Sequence, residues 1–266
     1  MRSRLALRLA ALGYLALLLG VPVALVFVNA FEDGVAAAWE AVTTPEAQHA
    51  FYLTMVMVAV AVPLNTIFGV LCALAIVRQR FRGRGLLNAM VDLPFAVSPV
   101  VVGLALLLVY GHRDGWIGEW LAEQGIRVIF STPGMILATM FVSLPFVVRE
   151  VIPVLREIGT EQEQAAATLG AGPFQTFFRI TLPAIRWGVA YGVVLTTARA
   201  LGEFGAVSVV SGKLSGRTET ATLFVENRFQ RFDETGAYAA SVVLALLALA
   251  TLLAMNLIKP KEAARP

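Results

Sequence analysis

Charge is scarce in this chain. Asp, Glu, Lys and Arg make up 15% of the 266 residues, against 58% for the apolar and aromatic set AVILMFWYC. A soluble domain of this length needs far more polar surface than that, and a disordered chain needs the opposite bias, so both are excluded. The single cysteine, Cys72, lies inside a long apolar run; it forms no internal disulfide, brings no second thiol to a metal, and reads as packing. The two histidines, His49 and His112, stand outside any H-E-x-x-H pattern and without a nearby ligand partner. A phosphate-cradling G-x-x-x-x-G-K-[ST] loop is missing too: its nearest approach, Gly212-Lys213, has Val207 in place of the first glycine and Leu214 in place of the hydroxyl. No G-x-S-x-G elbow occurs either. The chain therefore reads as an integral membrane protein, not an enzyme, with no cofactor or metal of its own. A net charge of +3 does not indicate nucleic-acid binding, because the arginines lie between apolar runs with no basic stripe interleaved with aromatics.

What the sequence has instead is long apolar runs. A bilayer core of ~30 Å takes about 20 helical residues at 1.5 Å rise, and six segments qualify: about 12–31, 51–77, 88–111, 133–152, 187–211 and 237–258. The expected fold is all-α and polytopic, one transmembrane domain over 12–258 between tails at 1–11 and 259–266. The first run also resembles a signal peptide, with Arg2, Arg4 and Arg8 before it and Val28-Asn29-Ala30 as a small-residue site. Its uncharged stretch of about twenty residues exceeds the usual 7–15 of such a peptide, so it reads as an uncleaved helix.

Basic residues give these spans a sidedness. With the N-terminus inside, the inner segments hold Arg2, Arg4, Arg8, Arg78, Arg80, Arg82, Arg84, Arg149, Arg156, Arg179, Arg186, Lys259, Lys261 and Arg265. The outer ones hold only Arg113, Arg127, Lys213, Arg217, Arg228 and Arg231, an asymmetry that predicts both termini in the cytoplasm.

Charges within spans are costly, about 2.5–3.5 kcal/mol at the bilayer centre on insertion scales, so they face protein or a water-filled cavity. Three stand out: Asp92, Arg199 and Glu203. Arg199 and Glu203 are four apart and share a helix face, either as a self-neutralising pair that orients the fifth span or as part of an anion path. Asp92, just before Leu93-Pro94 at the inner end of its span, suits capping or helix anchoring better than substrate contact. Pro63, Pro94, Pro99 and Pro145 interrupt spans, as in helices that bend around a pathway and also in plain bundles.

The loop at 153–183 carries a second pattern. Thr160-Glu161-Gln162-Glu163 has capping-box spacing, with Glu163 placed to reach back. A helix over about 161–169 follows, stopped by Gly170 and Gly172. Pro173 then opens a second short helix with Phe174, Phe177 and Phe178, and Pro183 opens span five. Such a unit either lies on lipid or docks into a soluble partner.

This loop resembles that of the membrane subunits of ATP-binding-cassette importers, whose hallmark is E-A-A-x-x-x-G followed, after nine intervening residues, by I-x-L-P. Here Gln164-Ala165-Ala166-Ala167-Thr168-Leu169-Gly170 and Ile180-Thr181-Leu182-Pro183 keep the spacing, with Gln164 in place of glutamate and Glu163 one position earlier. Three further stretches, Asp92 to Gly103, Leu144 to Glu150 and Arg199 to Ala206, are similar to the sulfate and molybdate permease group. The continuation from Val207 to Lys213, with Gly216 to Thr220, is similar to the W-type subunits of sulfate/thiosulfate permeases. The resemblance implies a type I importer permease fold in a bacterial inner membrane. It implies a coupling helix contacting a separate ATPase through Glu163, Gln164, Ala165, Ala166 and Gly170, with Ile180, Leu182 and Pro183 behind it. It further implies a paralogous permease partner, a cytoplasmic ATPase dimer that holds ATP and Mg, an external sulfate-binding protein, and sulfate or thiosulfate as cargo, with molybdate or another tetrahedral oxyanion as the alternative. Lys213 and Arg217, beyond span five, either attract the anion or contact the binding protein, or are loop charges balanced by Glu219 and Glu226. An ion-gradient transporter, the rival class, would use Arg199 and Glu203 but would not need the Gly170 to Pro183 loop.

Overall fold

The computed structural model describes residues 2–113 and 115–258, and among them every regular element is helical. The expected tail at 259–266 lies outside the described residues. In chain order the α-helices are α1 (Arg2–Leu15), α2 (Val21–Ala30), α3 (Val35–Val42), α4 (Pro45–Arg78), α5 (Arg84–Ala96), α6 (Pro99–Tyr110), α7 (Gly118–Glu123), α8 (Thr132–Glu157), α9 (Glu161–Thr168), α10 (Pro173–Thr176), α11 (Leu182–Leu201), α12 (Gly205–Val210), α13 (Ala221–Gln230) and α14 (Glu234–Ile258). Five stretches are long and apolar enough to cross a membrane, Ala6–Ala30, Pro45–Arg78, Thr132–Glu157, Pro173–Leu201 and Glu234–Met255, and a bent pair of helices makes a possible sixth.

That pair covers the third span expected over 88–111, and the interruption expected at its prolines is a full corner. Helices α5 and α6 meet at 115°. Val97 is extended, at φ −101° and ψ 135°, and Ser98 has ψ 136°. Proline at 99 disfavours the helical region for the residue before it, and then opens α6 from its first position.

The fifth span departs at both ends. It begins at Pro173, not near Trp187, because α10, a π-helical turn over Phe177–Thr181 and α11 run on as one helix. Pro183 therefore does not start a new helix. In an ordinary α-turn its ring would collide with the carbonyl four residues back; the widened turn before it, in which the Leu182 N–H donates to the Phe177 carbonyl, removes that conflict. The same device recurs near the N-terminus, where Val21 donates to Ala16 just before Pro22. The span ends at Leu201, and Gly202 to Phe204 separate it from the short α12, so Glu203 lies in a break and not on a continuous helix.

Packing centres on α4, α8 and α11. Toward the Arg78 end, Val70, Ala73 and Ile76 of α4 meet Val147, Val148, Val151 and Leu155 of α8 and Ile185 of α11. A second cluster at the opposite end joins Leu53 and Met57 to Met135, Ala138, Val142, Val102, Val207 and Val210. Asn65, 1% exposed, fastens the two long helices by donating to the Met140 carbonyl and the Ser143 hydroxyl, both at 2.9 Å. The first helix is peripheral, resting on α14 through α2 and leaving Leu17, Leu19 and Leu25 exposed, as a lipid-facing helix does.

Candidate functional site

The most densely bonded polar junction gathers the ends of three helices at Arg78. The guanidinium is the last residue of α4; its Nη1 donates to the Leu155 carbonyl at 3.0 Å and its Nη2 to the Gly159 carbonyl at 2.6 Å. Those carbonyls belong to the last turn of α8 and the loop beyond it, where helix termini leave acceptors unpaired. Its Nε lies 3.0 Å from Oε2 of Glu163, in the first turn of α9, and the Thr181 hydroxyl donates to Oε1 of the same carboxylate at 2.8 Å. Glu163 does not reach back to close the expected capping box, and the Thr160 side chain makes no cap bond to the backbone. The Thr160 hydroxyl instead accepts from Nε2 of Gln164 at 3.0 Å on the exposed side. The acid and the amide thus face opposite ways: Glu163 into the bundle, Gln164 outward.

Helix α9 occupies Glu161–Thr168 and stops on a full left-handed cap. Gly170 has φ +84°, its N–H donates to Ala167 and that of Ala171 donates to Ala166, both at 3.0 Å, which is the Schellman arrangement. Around this cap Ala165 and Gln164 are exposed and Ala166 is buried. Leu169 and Phe174 project beside it at 88% and 81% exposure, and an open notch of about 390 Å³ lies between Ala166, Gly170, Gln175 and Ile180. Of the I-x-L-P residues, Ile180 lines that notch, Leu182 packs on the core beside Ile185, and Pro183 is exposed.

The charges within the spans form two separate pairs. Asp92 of α5 meets Arg149 of α8, with Nε 2.7 Å from Oδ1 and a second contact between Nη2 and Oδ2, so it anchors the bent pair to α8. Arg199 and Glu203 do pair, at 2.7 Å, across the end of α11. Glu203 is 3% exposed; its Oε1 accepts from the Ala206 N–H at 2.9 Å, and its backbone carbonyl accepts from the Thr222 hydroxyl at 2.7 Å. It therefore serves the start of α12 as well as the arginine.

Lys213 and Arg217 are both exposed but are not brought to one point. Lys213 is paired with Glu226 at 2.7 Å and lies 5.9 Å from the Phe204 ring. Glu219 is not available to balance these loop charges: it is 1% exposed and accepts from the Asn227 amide at 2.6 Å. Sequence reasoning placed Asp92, Arg199 and Glu203 as notable but missed Arg78 and Thr181. Arg78 looked like one of four topological arginines, yet it alone falls on the last turn of α4.

A family model described as "Binding-protein-dependent transport system inner membrane component" matches residues 65–263. The chain is 52% identical over 94% of its length to the sulfate transport system permease protein CysW of Synechocystis sp., covering 91% of that protein. It is 38% identical over 93% of its length to the sulfate transport system permease protein CysT of Escherichia coli, covering 89% of that protein. Its fold matches a chain of a bacterial alginate ABC transporter solved in complex with alginate pentasaccharide-bound periplasmic protein, with a TM-score of 0.78 at 20% identity, over 95% of this chain and 92% of that one.

Proposed function

Because this chain belongs to the binding-protein-dependent transport system inner membrane components, we propose that it is the permease subunit of an ATP-binding-cassette sulfate importer, supplying half of the translocation pathway. The observation that carries this reading is 52% identity, sustained over 94% of the chain, with a sulfate permease. Its likeness to CysT as well as CysW supports a partnership of two related but non-identical permease chains, and a solved relative bound to a periplasmic protein supports delivery of cargo from outside.

In this reading the chain hydrolyses nothing. ATP and Mg belong to a separate pair of ATPase subunits, which seat against the outward face of α9, with Gln164, Ala165, Leu169 and the Gly170 cap as the contact. The face is exposed, uncharged at Ala165 and held in shape by its own capping bonds. Both termini lie in a bacterial cytoplasm, as the arginine asymmetry favours. Lys213 and Arg217 lie on the outer side, where cargo arrives; sulfate and thiosulfate are the anions proposed.

The test is reconstitution of the four-component importer in proteoliposomes. ATP-dependent uptake of labelled sulfate that requires the binding protein supports the reading, and molybdate carried in its place would reassign the cargo. Uptake driven by a proton or sodium gradient with the ATPase omitted would overturn it.

A further inference from the structure

We propose that Arg78 is a positioning residue for energy coupling: it clamps α9 to the second, fourth and fifth spans, so that a push on α9 moves three spans together. This rests on the coupling role proposed above for α9. The physical basis is that α9 is joined to the chain on either side by two short connections, at Ile158 to Thr160 and at Leu169 to Gly172, each containing a residue with positive φ, Gly159 and Gly170, and beyond them packs only lightly, on α10 and the π-turn. Short backbone connections by themselves leave α9 free to pivot against α4.

Arg78 closes that freedom from a third helix. Its fork spans the negative end of α8, through the Leu155 and Gly159 carbonyls, and the acidic first turn of α9, through Glu163. A cation is favoured at a helix C-terminus and a carboxylate at an N-terminus, so the guanidinium suits the end of α8 and its partner Glu163 suits the start of α9. Thr181 extends the bond network to the start of the fifth span. With only 16% of its side chain exposed, Arg78 is turned into the bundle and away from any soluble partner. Lysine, a point charge without the planar fork, cannot serve all these acceptors.

Arg78→Gln and Glu163→Gln are tested in the complete importer, with uptake and ATP hydrolysis measured on the same proteoliposomes. The expected result is that both variants still co-purify with the ATPase and hydrolyse ATP, while uptake per ATP falls about tenfold, the size of an ordinary coupling energy. Arg78→Lys should fall between, and the double glutamine variant should be no worse than either single one, because both remove the same clamp. An unchanged ratio overturns the proposal, and so does a parallel fall of uptake, hydrolysis and co-purification. Wild-type sulfate uptake scores the parent reading separately. Should that reading fail, the clamp is judged on this chain alone by spin-label distances between Ala167→Cys and Arg156→Cys in a Cys72→Ala background. A narrow distribution broadened by Arg78→Gln supports it, and one left unchanged overturns it.

Discussion

Val147 sits between two glycines. A Cβ added at Gly192 would lie 2.8 Å from the Val147 Cα, and one at Gly69 would lie 2.8 Å from its Cβ. Both approaches need the missing side chain. Gly192→Val is expected to overpack this crossing at a cost of about 1–3 kcal/mol, read as a lower melting midpoint in detergent. Arg199 is constrained differently. Replacing it with glutamine strands the Glu203 carboxylate at 3% exposure, and removing one partner of a buried pair costs about 3–5 kcal/mol. Arg199→Gln should therefore lower the yield of folded protein, and Arg199→Gln with Glu203→Gln should recover most of it; failure of the double variant to recover would assign Arg199 a role beyond pairing. At this scale the sequence revealed which charges were unusual. Only the four-residue spacing of Arg199 and Glu203 revealed a partner, since Asp92 and Arg149 are 57 residues apart and Arg78 and Glu163 are 85 apart.

Among the elements, α9 was the most legible, because a threonine before it and glycines after it are local signals. Its end is strained in advance against any residue but glycine. Nothing lies within 4 Å of a Cβ at Gly170, so the obstacle to substitution there is the φ of +84° and not space. Gly170→Val places a β-branched residue in the left-handed region, at a cost of about 1–2 kcal/mol, and should depress uptake while membrane insertion, measured by extraction with the bilayer fraction, stays intact. The misjudged elements were those whose boundaries a proline sets. Pro99 and Pro183 carry the same local rule, yet one breaks a span by 115° and the other is absorbed by a π-turn. What separates them is the surroundings. Leu182 and Ile185, on either side of Pro183, are packed into the Arg78-end core, whereas Val97 packs on the opposite-end core beside an exposed Ser98, at a corner from which α6 runs along α12.

At the end of the bundle marked by Arg78, the last turn of α4 meets α9 and the loop before it, and Lys213 and Arg217 lie in a loop beyond α12. Sidedness can be tested directly, because Cys72, the chain's sole cysteine, is buried and gives little background. With an impermeant maleimide added to intact cells, Arg217→Cys should label and Arg82→Cys should label only after permeabilisation; the reverse pattern would invert the topology.

Composition alone determined that the chain crosses a membrane, since 58% apolar residues cannot be hidden in water, hydropathy along the chain marked out the apolar runs, and the order of glycines and prolines marked the position of α9. Tertiary structure decided which charges meet: that Glu163 turns inward to Arg78, that Asp92 holds Arg149, and that Glu203 caps α12 from a break in the chain. The division has a physical reason. Hydropathy and backbone propensity act over a few residues and can be read along the chain, whereas an ion pair depends on two helix ends arriving within about 3 Å of each other, and that is fixed by packing between segments far apart in sequence.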